Sequence, residues 1–222
     1  MDNTPAHDRH NPALLAFIPT GAAMLIEVGC SSGALAREYK KINRSGIYVG
    51  VECVPEFVRL ANQYCDSVIE LDIESATPEF FAANHACDCW IFGDCLEHLR
   101  DPWSLLAKIR KVIPPNGSVV ACIPNAQHWS IQARLCCGEF KYEDEGLLDK
   151  THLRWFTRLT IIEMFHNAGF KIEAAAPRVF DEPDRDRFMP AIRSMAASMG
   201  ADPEMAARDA MPLQYVIRTV AA

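Results

Sequence analysis

Met24-Leu25-Ile26-Glu27-Val28-Gly29-Cys30-Ser31-Ser32-Gly33 is the stretch that decides the fold class. A short apolar run stops at a glycine-bounded turn, and Leu35, Ala36 and Tyr39 then recur at helical spacing. This predicts strand, tight loop and helix in succession. The unit repeats downstream. A strand over Ile47 to Val51 ends at Glu52, and after Pro55 a helix carries Phe57, Leu60, Ala61 and Tyr64 on one face. Further strands are expected over Ser67 to Leu71, reaching Asp72, and Asp88 to Phe92, reaching Gly93 and Asp94. Alternating strands and helices mean an α/β fold with a largely parallel sheet.

Past Pro102, Leu105, Leu106, Ile109 and Val112 mark a helix, and the turn Pro114-Pro115-Asn116-Gly117 leads into a strand over Ser118 to Ile123. Thr157 is placed to cap a helix bearing Leu159, Ile162 and Phe165, with Gly169 as its stop. Strands over Phe170 to Ala174 and Gln214 to Thr219 complete a set of seven. Residues 126–156 mix Trp, His, Lys, Asp and Glu without a helical or strand period, which reads as a lid before the sixth strand. Residues 181–211 read as a second insertion, before the last strand. The expected organisation is a single domain over 1–222, with core segments at about 22–125, 157–180 and 212–222.

Composition narrows the function. Of 222 residues, 50% are hydrophobic and 23% charged, which suits one globular domain, and no apolar run approaches the ~18 residues a membrane span needs. The first twelve residues are polar and suggest neither a secretory signal nor a transit peptide, so a cytoplasmic location is expected. A net charge of −7 opposes general attraction to polyanions and makes nucleic acid an unlikely partner. Nine cysteines fit neither a disulfide framework nor paired zinc knuckles. Cys87 and Cys89, two apart, are expected on one strand face as small hydrophobes. Adjacent Cys136 and Cys137 carry no metal spacing.

An open parallel sheet binds ligands where the carboxyl ends of its strands diverge, and glycines and carboxylates collect there in this chain. Gly29 and Gly33 permit close backbone approach. Their spacing is not the dinucleotide fingerprint G-x-G-x-x-G, since Ser31 stands where its second glycine falls. Glu52, 19 residues after Gly33, could accept both hydroxyls of a ribose or cap the following helix. Asp72 could read a nucleoside or sit in a solvated turn. Trp129, Tyr142, Trp155 and Phe156 could line a substrate pocket or form lid core, and Arg134 and Arg154 could hold an anion or be solvated.

Glu27-Val28-Gly29-Cys30-Ser31-Ser32-Gly33 resembles the first motif of class I S-adenosylmethionine-dependent methyltransferases. Glu52, Leu71-Asp72-Ile73-Glu74 and Asp94-Cys95-Leu96-Glu97-His98-Leu99 follow in that family's order, and the likeness spans about residues 22–176. It implies a Rossmann-like seven-stranded, mostly parallel sheet flanked by helices, with S-adenosylmethionine as cofactor. Glu27, Gly29, Cys30, Gly33, Glu52, Asp72, Ile73 and Asp94 are the implied cofactor contacts. Ile123-Pro124-Asn125 and Asp144-Glu145-Gly146-Leu147-Leu148-Asp149-Lys150-Thr151-His152-Leu153-Arg154-Trp155-Phe156-Thr157 resemble a bacterial subgroup found beside glycosyltransferases. That likeness implies O-methylation of a hydroxyl on a sugar, glycan or other small molecule, with possible glycosyltransferase association. A non-catalytic cofactor-binding scaffold, or an N- or C-methyltransferase of a small metabolite, are the alternatives.

A hydroxyl nucleophile must shed a proton, and His98 and His152 are the side chains suited to take it near neutral pH, with Asp94 in support. A metal-free base is preferred. The alternative is a divalent ion held by Asp94, Glu97, His98 and His152, as in methyltransferases with a similar E-x-x-E-H string.

Overall fold

The computed structural model describes residues 8–222, so positions 1–7 of the polar N-terminal stretch lie outside the described residues. Strands β1 (Met24–Val28), β2 (Ile47–Glu52), β3 (Ser67–Glu70), β4 (Cys89–Gly93), β5 (Ser118–Pro124), β6 (Phe170–Arg178) and β7 (Gln214–Ala221) form one sheet in the order β3-β2-β1-β4-β5-β7-β6. The first five run parallel, while β7 is antiparallel to both β5 and β6. Strand order reverses at β1, which lies between β2 and β4, and a parallel sheet opens a crevice at such a point. This is the Rossmann-like sheet the sequence predicts.

The helices are α1 (Pro12–Phe17), α2 (Ala34–Ile42), α3 (Pro55–Ala61), α4 (Pro78–Ala83), α5 (Pro102–Val112), α6 (Trp129–Cys136), α7 (Arg158–Asn167), α8 (Arg185–Ser198) and α9 (Pro203–Asp209). Strand alternation sorts the helices that cover the sheet into two layers. Ile26, Val28, Val49, Val51, Trp90 and Phe92 face one core with Phe81 of α4, Leu106 and Ile109 of α5, and Phe165 of α7. Leu25, Tyr48, Cys89 and Ile91 face the other, with Leu14 of α1, Leu35 and Tyr39 of α2, and Ala61 of α3. Near-continuous apolar strands are what a sheet covered on both faces requires.

Three expectations need correction. Cys87 and Cys89 are both buried but lie in opposite cores, because β4 starts only at Cys89 and Cys87 precedes the pleat. On α7 the buried face is Ile161, Met164 and Phe165, whereas Leu159 and Ile162 are exposed. The reciprocal cap between Thr157 and Thr160 starts the helix so that its first turn meets solvent. The stretch 126–156 is not without regular structure, since α6 occupies its first third and Ile131, Leu148 and Phe156 are buried.

The two insertions are joined. Met189, Ile192, Ala207 and Ala210 of the α8–α9 region form a small core against which Trp129 packs. Trp129 stacks on Phe188 at 5.3 Å and donates to Glu182 at 2.7 Å, and His128 Nε2 lies 3.1 Å from the same carboxylate. Asn125 at the end of β5 donates to the carbonyls of Asp209 and Pro212, and Arg158 grips the Asp209 carboxylate at 2.8 and 2.9 Å.

Candidate active site

The loop after β1 supplies backbone rather than side chains. Gly29 (φ 73°), Ser31 (φ 48°) and Gly33 (φ 77°) all have left-handed backbone, and Ser31 bears a Cβ in a conformation that favours glycine. A Cβ on Gly33 would come within 3.0 Å of the Ala61 backbone, so that position must stay bare. Cys30 is buried, its thiol lying over Gly50, where a Cβ would meet the sulfur at 2.6 Å. Its backbone is the part that borders the crevice loop.

Glu52 ends β2 and binds that loop. One carboxylate oxygen accepts from Ser31 N–H at 2.9 Å, and the other accepts from Cys53 and Val54 N–H at 2.9 and 3.0 Å. The capping reading is what the side chain displays, and it ties the start of α3 to the glycine loop. A carboxylate has about four acceptor sites, so these three bonds, with the Cys53 thiol on the same group, leave too few for both hydroxyls of a ribose.

Asp72 is exposed and accepts from Glu74 N–H at 3.0 Å, capping the 3₁₀ turn Ile73–Ser75, with the Arg100 guanidinium 3.7 Å away. The Ile73 side chain is buried in the core. Glu27 faces inward from β1, accepting from the Tyr48 hydroxyl at 2.9 Å. Burial pushes its carboxyl up to about 8, against the opposing effect of that hydrogen bond.

After β4 the chain turns sharply. Asp94 has φ 51°, is exposed, and accepts from the Gln214 side-chain amide of β7. Cys95 then bridges the two halves of the crevice, its Sγ lying 3.3 Å from where a Gly29 Cβ would sit. A 3₁₀ turn, Leu96–His98, follows. Of the four residues named for a divalent ion, Asp94 stands outside this three-residue turn and precedes it. Glu97, His98 and His152 do converge, each offering a ligand atom within 4.8 Å of the others, without Asp94.

Glu97 is 1% exposed, and neither of its carboxyl oxygens has a hydrogen-bond partner. Burial, with Asp94 nearby, raises its carboxyl well above the usual range. An unsatisfied buried carboxyl is costly, which marks a place for a polar ligand. The Glu97 carbonyl accepts from Leu153 and Arg154 N–H at 2.8 and 2.9 Å, holding residues 152–154 against this turn.

The rings of His98 and His152 meet edge to face at 4.8 Å. His152 Nδ1 lies 3.3 Å from the Leu147 carbonyl, and His98 Nδ1 lies 3.3 Å from the Thr151 carbonyl. A carbonyl can only accept, so each contact favours the proton on Nδ1 and the lone pair on Nε2. Burial lowers both histidines below their ordinary value, and for His152 the neighbouring His98 adds to the effect. Both are thus neutral and able to take a proton.

The proposed pocket aromatics divide. Trp129 is committed to Phe188 and Glu182, and Phe156 is buried beside Trp103. Tyr142 and Trp155 instead form an exposed group with Phe140 at 5.8–6.5 Å. Arg134 pairs with Glu143 at 2.8 Å, and Arg154 donates to the Arg100 carbonyl and lies over Trp103. Sequence reasoning assigned no role to Asp149 and Thr151. Their signal was the Asp-x-Thr spacing of a side-chain-capped turn directly before His152.

A family profile described as a methyltransferase domain matches residues 7–175. The chain belongs to the methyltransferase-domain family. A ubiquinone biosynthesis O-methyltransferase of Escherichia coli O157:H7 is 32% identical over 124 residues, covering 52% of this chain and 50% of its own. The chain spans about half the length of the curated relatives it matches. An S-adenosylmethionine-dependent methyltransferase from Mesorhizobium loti shares the fold at a TM-score of 0.61 and 13% identity, over 94% of this chain and 96% of that one. Magnesium protoporphyrin IX methyltransferase from Synechocystis PCC 6803, with SAH bound, shares it at 0.61 and 10% identity, over 95% and 81%. No helix among the described residues of this methyltransferase-family chain is long and apolar enough to cross a membrane.

Proposed function

We propose that this single domain transfers a methyl group from S-adenosylmethionine to a hydroxyl of a sugar, glycan or other small molecule. The observation that carries this reading is the meeting of Glu97, His98 and His152 at the carboxyl end of β4, joined through Cys95 to the glycine loop and Glu52. A small-molecule acceptor also accords with the net charge of −7. The O-methyltransferase name of the E. coli relative supports oxygen as the target. Nine free cysteines suit a reducing compartment such as the cytoplasm.

The sulfonium supplies an activated methyl, so the protein's share is alignment, exclusion of water and removal of one proton. Gly29 and Gly33 admit the cofactor to the loop backbone, and Glu52, which holds that loop, accepts from one ribose hydroxyl. The unsatisfied Glu97 carboxyl offers the acceptor a polar partner, while His98 Nε2 takes the hydroxyl proton and His152 closes the other side. Asp94, engaged with Gln214, orients the turn that carries this group.

A divalent ion is the second reading, favoured by the same three-residue cluster. Glu97, His98 and His152 would hold it, and it would lower the pKa of a bound hydroxyl. Two imidazoles and one carboxylate suit a transition metal better than Mg²⁺. Methyl transfer measured after exhaustive chelation, in the wild type and in His98→Ala, decides the matter. Activity that survives chelation and collapses in His98→Ala supports the base; activity lost to chelator and restored by a divalent ion overturns it.

A further inference from the structure

Thr151 and Asp149 lie behind the nitrogen of His98 that faces away from the proposed proton transfer. His98 Nδ1 is 3.0 Å from the Thr151 hydroxyl oxygen, and that hydroxyl is 2.6 Å from Asp149 Oδ1. The Thr151 N–H donates to the same carboxylate oxygen at 2.7 Å. Asp149 is 3% exposed, and its place is fixed by a short bridge in which Glu143 N–H donates to Leu148 and Lys150 N–H donates back to Glu143.

Proton bookkeeping along this line leaves one arrangement. Asp149 Oδ1 already accepts the Thr151 N–H at 2.7 Å, so it is the acceptor end of this line. A carboxylate only accepts, so the single Thr151 hydroxyl proton points to Asp149. The hydroxyl oxygen must then accept from His98 at 3.0 Å, a closer contact than the Thr151 carbonyl at 3.3 Å, which favours the same tautomer more weakly. We propose that Asp149 and Thr151 are positioning residues that lock His98 in its Nδ1–H tautomer, so that Nε2 is always the nitrogen free to accept a proton. The functional part of this inference rests on His98 serving as the base; the tautomer itself does not.

The alternative is that Asp149 and Thr151 merely knit the loop, and ring-nitrogen chemical shifts separate the two. Long-range proton–nitrogen correlation spectra of the ¹⁵N-labelled full chain, with His98 assigned by its disappearance in His98→Ala, report the tautomer directly. Wild type and Thr151→Ser are expected to show protonated Nδ1. Thr151→Val, which keeps the side-chain shape but loses the hydroxyl, is expected to shift His98 toward protonated Nε2. Its kcat is expected to fall ~10-fold or more, with KM for S-adenosylmethionine unchanged, since a base in the wrong tautomer cannot act. Thr151→Ala gives the same reading if the valine variant does not fold. An unaltered His98 tautomer in both variants, or a serine variant as impaired as the valine one, would overturn the proposal. A shifted tautomer with undiminished kcat would leave the lock standing and remove His98 as the base.

Discussion

The two halves of the crevice are built on different principles. On the β1–β2 side, the proposed recognition is presented by backbone: left-handed loop residues, a bare Gly33 and a carboxylate that already holds three N–H groups. On the β4 side it is presented by buried side chains, with Glu97 unsatisfied and two neutral histidines against it. A backbone cradle tolerates variation in side chains that point elsewhere, as Cys30 does. A cluster of buried titratable groups does not, because each sets the charge and orientation of the next. Substrate binding and proton transfer should therefore fail separately when the halves are altered one at a time.

The largest expected effect lies on the β4 side. His98→Ala should lower kcat by ~10²–10⁴-fold, the usual contribution of a positioned base, with S-adenosylmethionine affinity unchanged. Single-turnover assays with labelled cofactor check this, and an equal loss of affinity would merge the two halves into one. On the other side, Glu52→Ala should weaken cofactor binding about tenfold or more, since hydrogen bonds to a charged group are worth ~1.5–3 kcal/mol. That variant also releases Ser31, Cys53 and Val54 N–H, so the loop should show faster amide exchange.

Smaller effects sharpen the contrast through pH. The histidines must be neutral to accept a proton, and burial lowers both, so kcat should fall as pH drops through a value below the ordinary imidazole range of about 6.5. The limb should vanish in His98→Ala. Glu27 carries the opposite dependence. Its folded-state pKa of about 8 exceeds the ordinary value of 4.5, so the native state binds the extra proton between those values and stability declines as pH rises through that window. Glu27→Gln should flatten the decline, whose limiting slope is about 1.4 kcal/mol per pH unit, in denaturant titrations.

Legibility follows the same division. The first four strands were readable because an apolar run ending in glycine or a carboxylate is a local signal, and the β1 loop was readable because its turn demands glycine. The register of α7 was not, since Leu159, Ile162 and Phe165 keep helical spacing as well as Ile161, Met164 and Phe165 do, and the Thr157–Thr160 cap settles the choice. Helix α6 escaped notice because its partners, Phe188 and Glu182, lie far along the chain. The pairing of His98 with His152 was reachable only as a family expectation. Their contact depends on the Glu97 carbonyl binding Leu153 and Arg154, a tie with no sequence signature.

Calorimetric titration of S-adenosylmethionine into the wild type, Glu52→Ala and His98→Ala tests most directly whether a backbone cofactor cradle sits beside a separate proton-transfer cluster. Saturable binding in the wild type, retained in His98→Ala and weakened about tenfold or more in Glu52→Ala, is the predicted pattern. No binding by the folded wild type, or equal weakening in both variants, would contradict it.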